Sequence, residues 1–435
     1  MRRSKVVRTA AVLTSALVLA GCVTNQAASQ DNTARDAATL AIGVDLPFLG
    51  SALDASKDTM RAMELYLEQV GRRAGPYRVE LIKYDNAPGA QGHWDDTECI
   101  RNANNHVANR HEVAVIGTFF TGCSKIEMPI LNAAPDGPML MISHTVNDPG
   151  LTKNWEPGEP AKYFPSGMRS FGRVVTTDNR QGPAAAQFAA ADLGVKRCFV
   201  LNDGDTYGKG VAKAFAAEAR RLGIQIVGEA RWRQRDADNY RALFAPAKAA
   251  AADCVYLGGI YDYGGDKLIR DKVAVLGDNT AVKLIAPDGY TGYPDFVMQP
   301  EAAGAYLTAS DLPIELLTAP GGASAHFLAD YRARFGRDLG SIDVLNGVRD
   351  ERGSAVLYGV QALQMILAAV EKSDGTRRGV RNQVFDGAGI TIAADRAILG
   401  KTISIDPATG DTNINDVTVL LVKDREETLV KGVST

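Results

Sequence analysis

The sequence lacks the short motifs that mark several large enzyme classes. It has no G-x-S-x-G nucleophile elbow, no GxxxxGK[ST] phosphate loop, no H-E-x-x-H zinc motif and no CxxC pair. The nearest approach to a phosphate loop, Gly204–Gly210, has one residue too few between its glycines and places Gly210 where Ser or Thr is required. We therefore expect no cofactor, no metal and no enzymatic activity.

The chain also lacks a strong excess of one charge. Its formal net charge is −3, from 48 basic and 51 acidic side chains. Residues 1–21 hold four of the basic side chains and no acidic one, so their removal brings the charge to −7. A mildly acidic surface gives no reason to expect nucleic acid or anionic lipid as a partner.

The first long apolar run is too short to cross a membrane. A basic start precedes the uncharged run from Thr9 to Gly21, whereas a span requires ~20 apolar residues. The run leads into Leu19-Ala20-Gly21-Cys22, which resembles the lipobox of a bacterial lipoprotein signal. We expect residues 1–21 to be a signal peptide, Cys22 to carry lipid and residues 22–37 to form a flexible tether. A plain secretory signal is the alternative, and both place the mature chain outside the cytoplasm.

Cysteine is scarce, with five residues in the chain. If Cys22 is acylated, four remain, and four cysteines allow three pairings. We favour a disulfide between Cys198 and Cys254, because each begins a predicted strand and a doubly wound sheet can make those strands neighbours. Cys99 then pairs with Cys123. The alternative is four buried free thiols, because the sequence does not show the geometry that a disulfide needs.

The sequence does contain a regular alternation of short β-branched runs with helical patterns. Four such runs lie between Leu40 and Ile142, and the alternation begins again from about residue 182 to Ala286. Strands buried on both faces and separated by helices indicate parallel sheets with right-handed crossovers. The folded part exceeds the ~250–300 residues at which one core stops growing. We therefore expect an α/β protein with two doubly wound parallel-sheet lobes.

The later part of the chain predicts two helices and a hairpin. The helices cover residues 323–335 and 354–371. The second is apolar almost all round but contains Gln361 and Gln364, which favours a buried core helix over a membrane span. A hairpin of Lys401–Ile405 with Val417–Val422 is expected to close the chain.

Small polar residues follow several predicted strands, at the edge where open α/β sheets bind ligands. These turns are Thr118–Ser124, Ser143–Asn147, Asn202–Gly210 and Pro287–Tyr290. Backbone N–H groups before a helix, with the Thr121 hydroxyl, suit a carboxylate. Asp288 places a carboxylate at the corresponding edge of the second unit. Each turn also has a plain structural interpretation, in which Thr121 is a helix cap and Asp288 a turn former.

Seven short segments, in this order and spacing, carry a resemblance that covers about Leu40 to Lys423. They are Ala114–Gly117, Leu140–Ser143, Gln181–Ala186, Tyr207–Gly210, Tyr256–Gly259, Ala286–Gly289 and Phe335–Asp338. As a set they resemble the substrate-binding proteins of branched-chain amino acid ABC importers, which have the type I periplasmic binding protein fold. The resemblance implies two lobes that close over a ligand like a clam.

The resemblance also implies three chain crossings between the lobes. We place them near Val174–Asp178, Thr308–Asp311 and Thr402–Asp406. The N-terminal lobe is then residues 38–175 plus 311–402, and the C-terminal lobe residues 178–308 plus 405–435.

In this family two turns bind the amino acid carboxylate, an acidic residue binds the ammonium group and aromatic side chains cover the ligand. The corresponding residues here are Phe120, Thr121, Gly122, Thr145, Asn147, Tyr207, Tyr261 and Asp288. The sequence departs from the family at His144, where relatives often have Pro, and at Asn147, where they often have Ser or Thr. Residues 151–165 form a longer insertion than is usual.

These expectations combine in one hypothesis. The protein is a lipid-anchored extracytoplasmic receptor that captures an amino acid or a related amide-like solute and delivers it to ABC permease subunits. It contacts the membrane through its lipid anchor alone. One rival is a sensor of the same fold that signals to a membrane partner, and another is an extracytoplasmic enzyme that uses His144 or Asp288.

Overall fold

A six-stranded sheet organises the first part of the chain. The computed structural model describes residues 38–88, 94–232, 239–318, 321–339, 342–343, 348–349 and 353–434. The predicted signal peptide, Cys22 and the tether lie outside these residues. The strands of the first sheet are β1 Thr39–Leu46, β2 Arg73–Ala74, β3 Tyr77–Asp85, β4 Glu112–Gly117, β5 Leu140–Ser143 and β6 Phe171–Arg173. Their order is β2-β3-β1-β4-β5-β6, and all pairs are parallel except β2 with β3.

A seven-stranded sheet organises the second part. Its strands are β7 Arg197–Asn202, β8 Gln225–Arg231, β9 Cys254–Gly258, β10 Lys283–Ala286, β11 Tyr306–Ala309, β16 Asp416–Lys423 and β17 Glu426–Ser434. Their order is β17-β16-β11-β10-β9-β7-β8, in which β16 and β17 are antiparallel additions at one edge. Two small sheets pair β12 Ile342–Asp343 with β13 Val348–Arg349 and β14 Thr391–Ile392 with β15 Ile403–Ser404. The predicted two-sheet α/β architecture is confirmed.

Helices cover the two sheets. They are α1 Leu53–Gln69, α2 Asp96–Ala108, α3 Thr121–Asn132, α4 Asp178–Ala191, α5 Thr206–Arg221, α6 Arg241–Ala249, α7 Gly265–Leu276, α8 Pro294–Met298, α9 Ile314–Leu317, α10 Ala323–Phe335, α11 Gly353–Lys372 and α12 Arg377–Phe385. Capping residues determine where several of these helices begin or end. Asp95 caps α2 by accepting hydrogen bonds from the N–H groups of Thr97 and Glu98. Gly336 ends α10 in a left-handed conformation that favours glycine.

The long helix α11 lies in the core of the first half. Its side chains pack with residues of β1, β4 and β5 in one buried apolar cluster. Among the described residues, one helix is long and apolar enough to cross a membrane, Ser354–Lys372, and 83% of its most apolar window is buried inside the protein. This burial matches the core helix that the sequence predicts.

The predicted terminal hairpin is wrong. β15 pairs with β14, and β16 pairs with both β11 and β17. The apolar run of β16 is buried between two strands of the second sheet, so it has no free edge for the segment 401–405. β16 begins at Asp416, and Gly410 accepts a hydrogen bond from the N–H of Arg173 in β6.

The two cysteine pairs differ. Cys99 and Cys123 form a disulfide that joins α2 to α3, as predicted. Cys198 and Cys254 lie opposite each other on the neighbouring strands β7 and β9, but they are free thiols. Their sulfur atoms are 2.7 Å apart, whereas a bond requires ~2.05 Å. The second predicted disulfide is therefore corrected: burial raises the pKa of Cys198 and favours the thiol.

Thiol titration of the unfolded protein, without reductant, tests this assignment. We expect two reactive thiols, from Cys198 and Cys254, besides any contributed by Cys22. The variant Cys198→Ala should lower the count by one, whereas Cys99→Ala should raise it by one because it frees Cys123. A wild-type count of zero after Cys22 is blocked would contradict the assignment.

Candidate functional site

A cavity lies between the two sheets, where the turns after β4 and β5 face the turns after β7, β9 and β10. Its volume is about 150 Å³, a size that holds a benzene ring in other proteins. From the first sheet it is lined by Phe119, Phe120, Thr121, Gly122, His144, Thr145 and Asn147. From the second it is lined by Asp205, Tyr207, Ile260, Asp288, Gly289, Thr291, Tyr293 and Ser310. The cavity can therefore hold one small solute in contact with both sheets.

Asp288 follows β10, and its carboxylate accepts hydrogen bonds from three other side chains. One carboxylate oxygen accepts a short hydrogen bond from the Tyr207 hydroxyl. The other accepts from Ser310 Oγ at 2.5 Å and from Asn147 Nδ2 at 2.9 Å. Burial raises the pKa of Asp288, while the hydrogen bonds from Ser310 and Tyr207 act against that rise. Asp288 is thus a buried carboxylate whose donors come from both sheets.

The N-terminus of α3 brings partial positive charge to the cavity, in contrast to the negative charge of Asp288. The helix begins at Thr121, and Phe120 at its cap position supplies no side-chain cap. The first backbone N–H groups of a helix lack intrahelical partners and carry partial positive charge. Thr145 Oγ1 donates to Phe119 O at 3.0 Å, and Thr118 Oγ1 donates to Phe120 O at 2.7 Å, which fixes the turn. These N–H groups can receive an anionic group of a solute.

Aromatic rings form the walls of the cavity. Trp94, Phe119 and Phe120 line it from the first sheet, and Tyr207 and Tyr293 from the second. A Cβ at position 122 would overlap the Trp94 ring, so Gly122 permits this close packing. The rings leave little space for a large polar substituent.

The prediction for Tyr261 is corrected by this arrangement. Tyr261 does not line the cavity. Its ring packs against Tyr290, Tyr293 and Phe296 in the core of the second sheet. The preceding residue, Ile260, faces the cavity instead, so the register differs by one residue. The other predicted residues, namely Phe120, Thr121, Gly122, Thr145, Asn147, Tyr207 and Asp288, are brought together at the cavity.

His144 lines the cavity as a neutral side chain. It is 1% exposed, and neither ring nitrogen has a hydrogen-bond partner among the described residues. Burial lowers its pKa to about 4. Its ring meets Phe119 edge to face, with the centroids 6.2 Å apart. His144 therefore places an uncharged imidazole ring in the wall of the cavity.

Asp178 is a further buried carboxylate that the sequence did not indicate. It begins α4, and its N–H donates to Asn147 O at 2.8 Å. Neither carboxylate oxygen has a hydrogen-bond partner among the described residues. Burial and the nearby charge of Asp288 raise its pKa well above the usual value. Only the start of a helix could have been predicted here, because its burial depends on the meeting of two sheets.

The insertion at 151–165 makes a second contact between the two halves. Glu156 forms an ion pair with Lys213 of α5 at 2.6 Å. The ammonium group of Lys213 also lies 5.1 Å from the centre of the Trp155 ring. Glu159 holds the base of the insertion through Tyr163 and Lys125. The insertion therefore reaches the second half through Glu156 and Trp155.

Several lining residues were missed by the sequence analysis. Trp94, Thr291, Tyr293 and Ser310 all contribute to the cavity. Ser310 follows β11, and the rule that polar residues at strand ends face the ligand could have found it. Trp94 lies just before α2 and reaches the cavity by packing against Gly122.

Comparisons with known proteins agree with this architecture. A model of the family described as periplasmic binding protein matches residues 39–423. The Leu/Ile/Val-binding protein BraC3 of Rhizobium johnstonii is 25% identical over 371 residues, which are 84% of this chain and 88% of that protein. Two other curated relatives are matched over 56% of their length, about half of each.

Solved structures share the fold. The leucine-binding protein LivK of Thermotoga maritima superposes with a TM-score of 0.69 at 20% identity, covering 91% of this chain and 99% of that one. A solute-binding protein of an ABC transporter from Rhodopseudomonas palustris HaA2, in complex with p-hydroxybenzoic acid, has a TM-score of 0.71 at 14% identity and covers 91% and 97%.

Burial of His144 predicts a loss of stability in acid. Because the pKa is about 4 in the folded state and 6.5 unfolded, the unfolded state binds a proton first as the pH falls. The contribution is complete above pH 6.5 and is lost between about 6.5 and about 4. At pH 4.5 the loss is about 2–3 kcal/mol. Urea unfolding at pH 7.5 and 4.5 measures how much the free energy of unfolding falls between the two pH values. This fall should be smaller for His144→Leu than for the wild type. Equal falls would mean that His144 is not buried in its neutral form.

Proposed function

Because the chain belongs to the periplasmic binding protein family, we propose that it is an extracytoplasmic receptor for a small polar solute. The solute is an amino acid or a related amide, which the receptor captures between two lobes and delivers to an ABC importer. The relatives named above as amino acid or Leu/Ile/Val-binding proteins support this substrate class.

The observation that carries the proposal is the presence of two opposite poles in one cavity. The N–H groups at the start of α3 attract a carboxylate, with Thr121, Thr145 and the Phe120-Thr121-Gly122 turn around it. The Asp288 carboxylate attracts an ammonium group. A free α-amino acid carries both charges on adjacent carbon atoms, so it can bridge the poles. Tyr207 supports Asp288 and covers the solute.

We assign the N-terminal lobe to residues 38–175 plus 311–402 and the C-terminal lobe to 178–308 plus 405–435. The hydrogen bond from Asn147 to Asp288 and the ion pair of Glu156 with Lys213 both join these lobes. A solute that contacts both poles gains its full binding free energy when the lobes are together. It would therefore shift the population towards the closed form. The permease subunits would recognise that form.

We propose further that the mature chain is held at the outer face of the cell membrane by lipid on Cys22. The lipobox-like segment before Cys22 and the polar stretch after it support this anchor. The Cys99–Cys123 disulfide supports an oxidising compartment. The rival hypothesis, a sensor of the same fold, would use the same anchor. That sensor would signal to a membrane partner instead of delivering solute to a permease.

We propose binding without turnover. The oxygens of Asp288 accept hydrogen bonds from Tyr207, Ser310 and Asn147, which disfavours a role as a free general base. His144 has no hydrogen-bond partner that could activate or orient it among the described residues.

A second candidate is an aromatic carboxylate. The rings of Trp94, Phe119, Phe120 and Tyr293 favour a flat solute, and the Rhodopseudomonas neighbour is named as a complex with p-hydroxybenzoic acid. Such a solute would use the α3 pole and would have no cation for Asp288.

Isothermal titration with a panel of amino acids and hydroxybenzoates tests both candidates. For an amino acid, Asp288→Asn should weaken binding by about 100-fold or more, because it removes the buried partner of the ammonium group. Thr121→Ala should weaken it about fivefold through one lost hydrogen bond. The matched controls are Asp295→Asn and Thr402→Ala, both at exposed positions outside the cavity.

The variants that lose binding affinity distinguish between the two candidate solutes. Hydroxybenzoate binding that survives Asp288→Asn would favour the second candidate. If Asp288→Asn and Thr121→Ala both bind the preferred solute as tightly as the wild type, the proposed site is wrong.

A further inference from the structure

A second polar cluster lies inside the first half, behind the wall of the cavity. It consists of Asp45 on β1, His106 on α2 and Glu127 on α3, and all three side chains are fully buried. Each offers one atom that can bind a metal, and these atoms lie within 4.8 Å of one another. Three ligands from three different elements are enough to hold a cation with further positions open to water.

The distance between two of the atoms that could ligate a metal suits a shared metal ion. His106 Nε2 lies 3.3 Å from Asp45 Oδ2, a distance at which the two side chains also form a hydrogen bond. Two ligands that are each ~2.1 Å from one metal ion lie about 3.0–3.4 Å apart at octahedral or tetrahedral angles. Asp45 Oδ1 accepts from Asn86 Nδ2 at 2.8 Å, which orients the carboxylate and leaves Oδ2 directed at the imidazole.

The other face of His106 has the partner that metal-binding histidines require. His106 Nδ1 makes a short contact with Glu112 Oε1, and Glu112 Oε2 accepts from the Tyr84 hydroxyl at 2.9 Å. Donation from Nδ1–H to a carboxylate leaves Nε2 as the metal-binding nitrogen. Gly43 makes room for this pair, because a Cβ there would overlap both Glu112 and His106.

Glu127 supplies an independent observation that points to a cation. Its Oε2 is buried and has no hydrogen-bond partner among the described residues. Its Oε1 lies 3.3 Å from Cys123 Sγ, which has no proton to donate because it belongs to the disulfide. A buried carboxylate without a donor is costly to keep ionised, and a cation between Glu127 and Asp45 would remove that cost.

The disulfide fixes the spacing of the two helices that carry these ligands. Cys99 lies two turns before His106 on α2, and Cys123 lies one turn before Glu127 on α3. The bond therefore holds both ligands on facing sides of α2 and α3.

From this geometry we propose that Asp45, His106 and Glu127 bind one divalent transition-metal ion, of the class of Zn²⁺ or Mn²⁺. Two carboxylates balance the charge of the ion, and the imidazole favours these ions over Ca²⁺, which prefers six to eight oxygen ligands. The ion would tie β1, α2 and α3 together behind the cavity.

The test uses the purified full-length protein after removal of metal with a chelator. Equilibrium dialysis against Zn²⁺ or Mn²⁺, followed by elemental analysis, should show one ion per chain for one of the two metals. That metal at ~100 times its dissociation constant should raise the melting temperature by about 2 °C or more. Ca²⁺ at the same concentration should produce no rise.

The decisive variant is Glu127→Gln, which keeps the shape and removes the charge. It should melt at or above the temperature of the metal-free wild type, yet lose both the bound ion and the metal-induced rise. His326→Gln, at an exposed histidine, is the matched control and should keep both. Failure of the wild type to retain either metal would overturn the proposal. Retention of the ion by Glu127→Gln would overturn it as well.

Discussion

The arrangement of the cavity depends on one buried carboxylate. Asp288 would be costly to bury as an ion without donors, and the chain supplies them from three places: Tyr207 on α5, Ser310 after β11 and Asn147 after β5. Because Asn147 belongs to the first sheet and Asp288 to the second, satisfying this charge brings the two halves together. The same hydrogen bonds position the carboxylate that we propose as the partner of an ammonium group.

Helix α3 connects the cavity with the interior behind it. Its first turn presents Thr121 and Gly122 to the cavity and carries Cys123 of the disulfide, and its next turn carries Glu127 into the buried cluster. The disulfide to α2 fixes the helix, so the N–H groups at its start hold a constant direction. A solute that meets a fixed anion site loses less binding free energy to ordering of the protein.

The sequence predicted the elements whose signal is local. Apolar runs such as Leu40–Val44 and Val113–Gly117 gave the strands, and the turns that follow parallel strands gave Thr121, Asn147 and Asp288. Features set by tertiary pairing were missed. The one-residue choice between Ile260 and Tyr261 depends on how the turn after β9 enters the core, and the pairing of β16 depends on a free edge beside β11. Adjacent strands placed Cys198 beside Cys254, but adjacency does not decide whether a bond forms.

The most direct test of the account is a crystal structure with the tightest-binding solute of the titration panel. The account predicts an anionic group within about 3.2 Å of the N–H groups at the start of α3 and a cationic group in contact with Asp288, with the two sheets closed around them. A solute bound in the reverse direction, or bound outside this cavity, would contradict it.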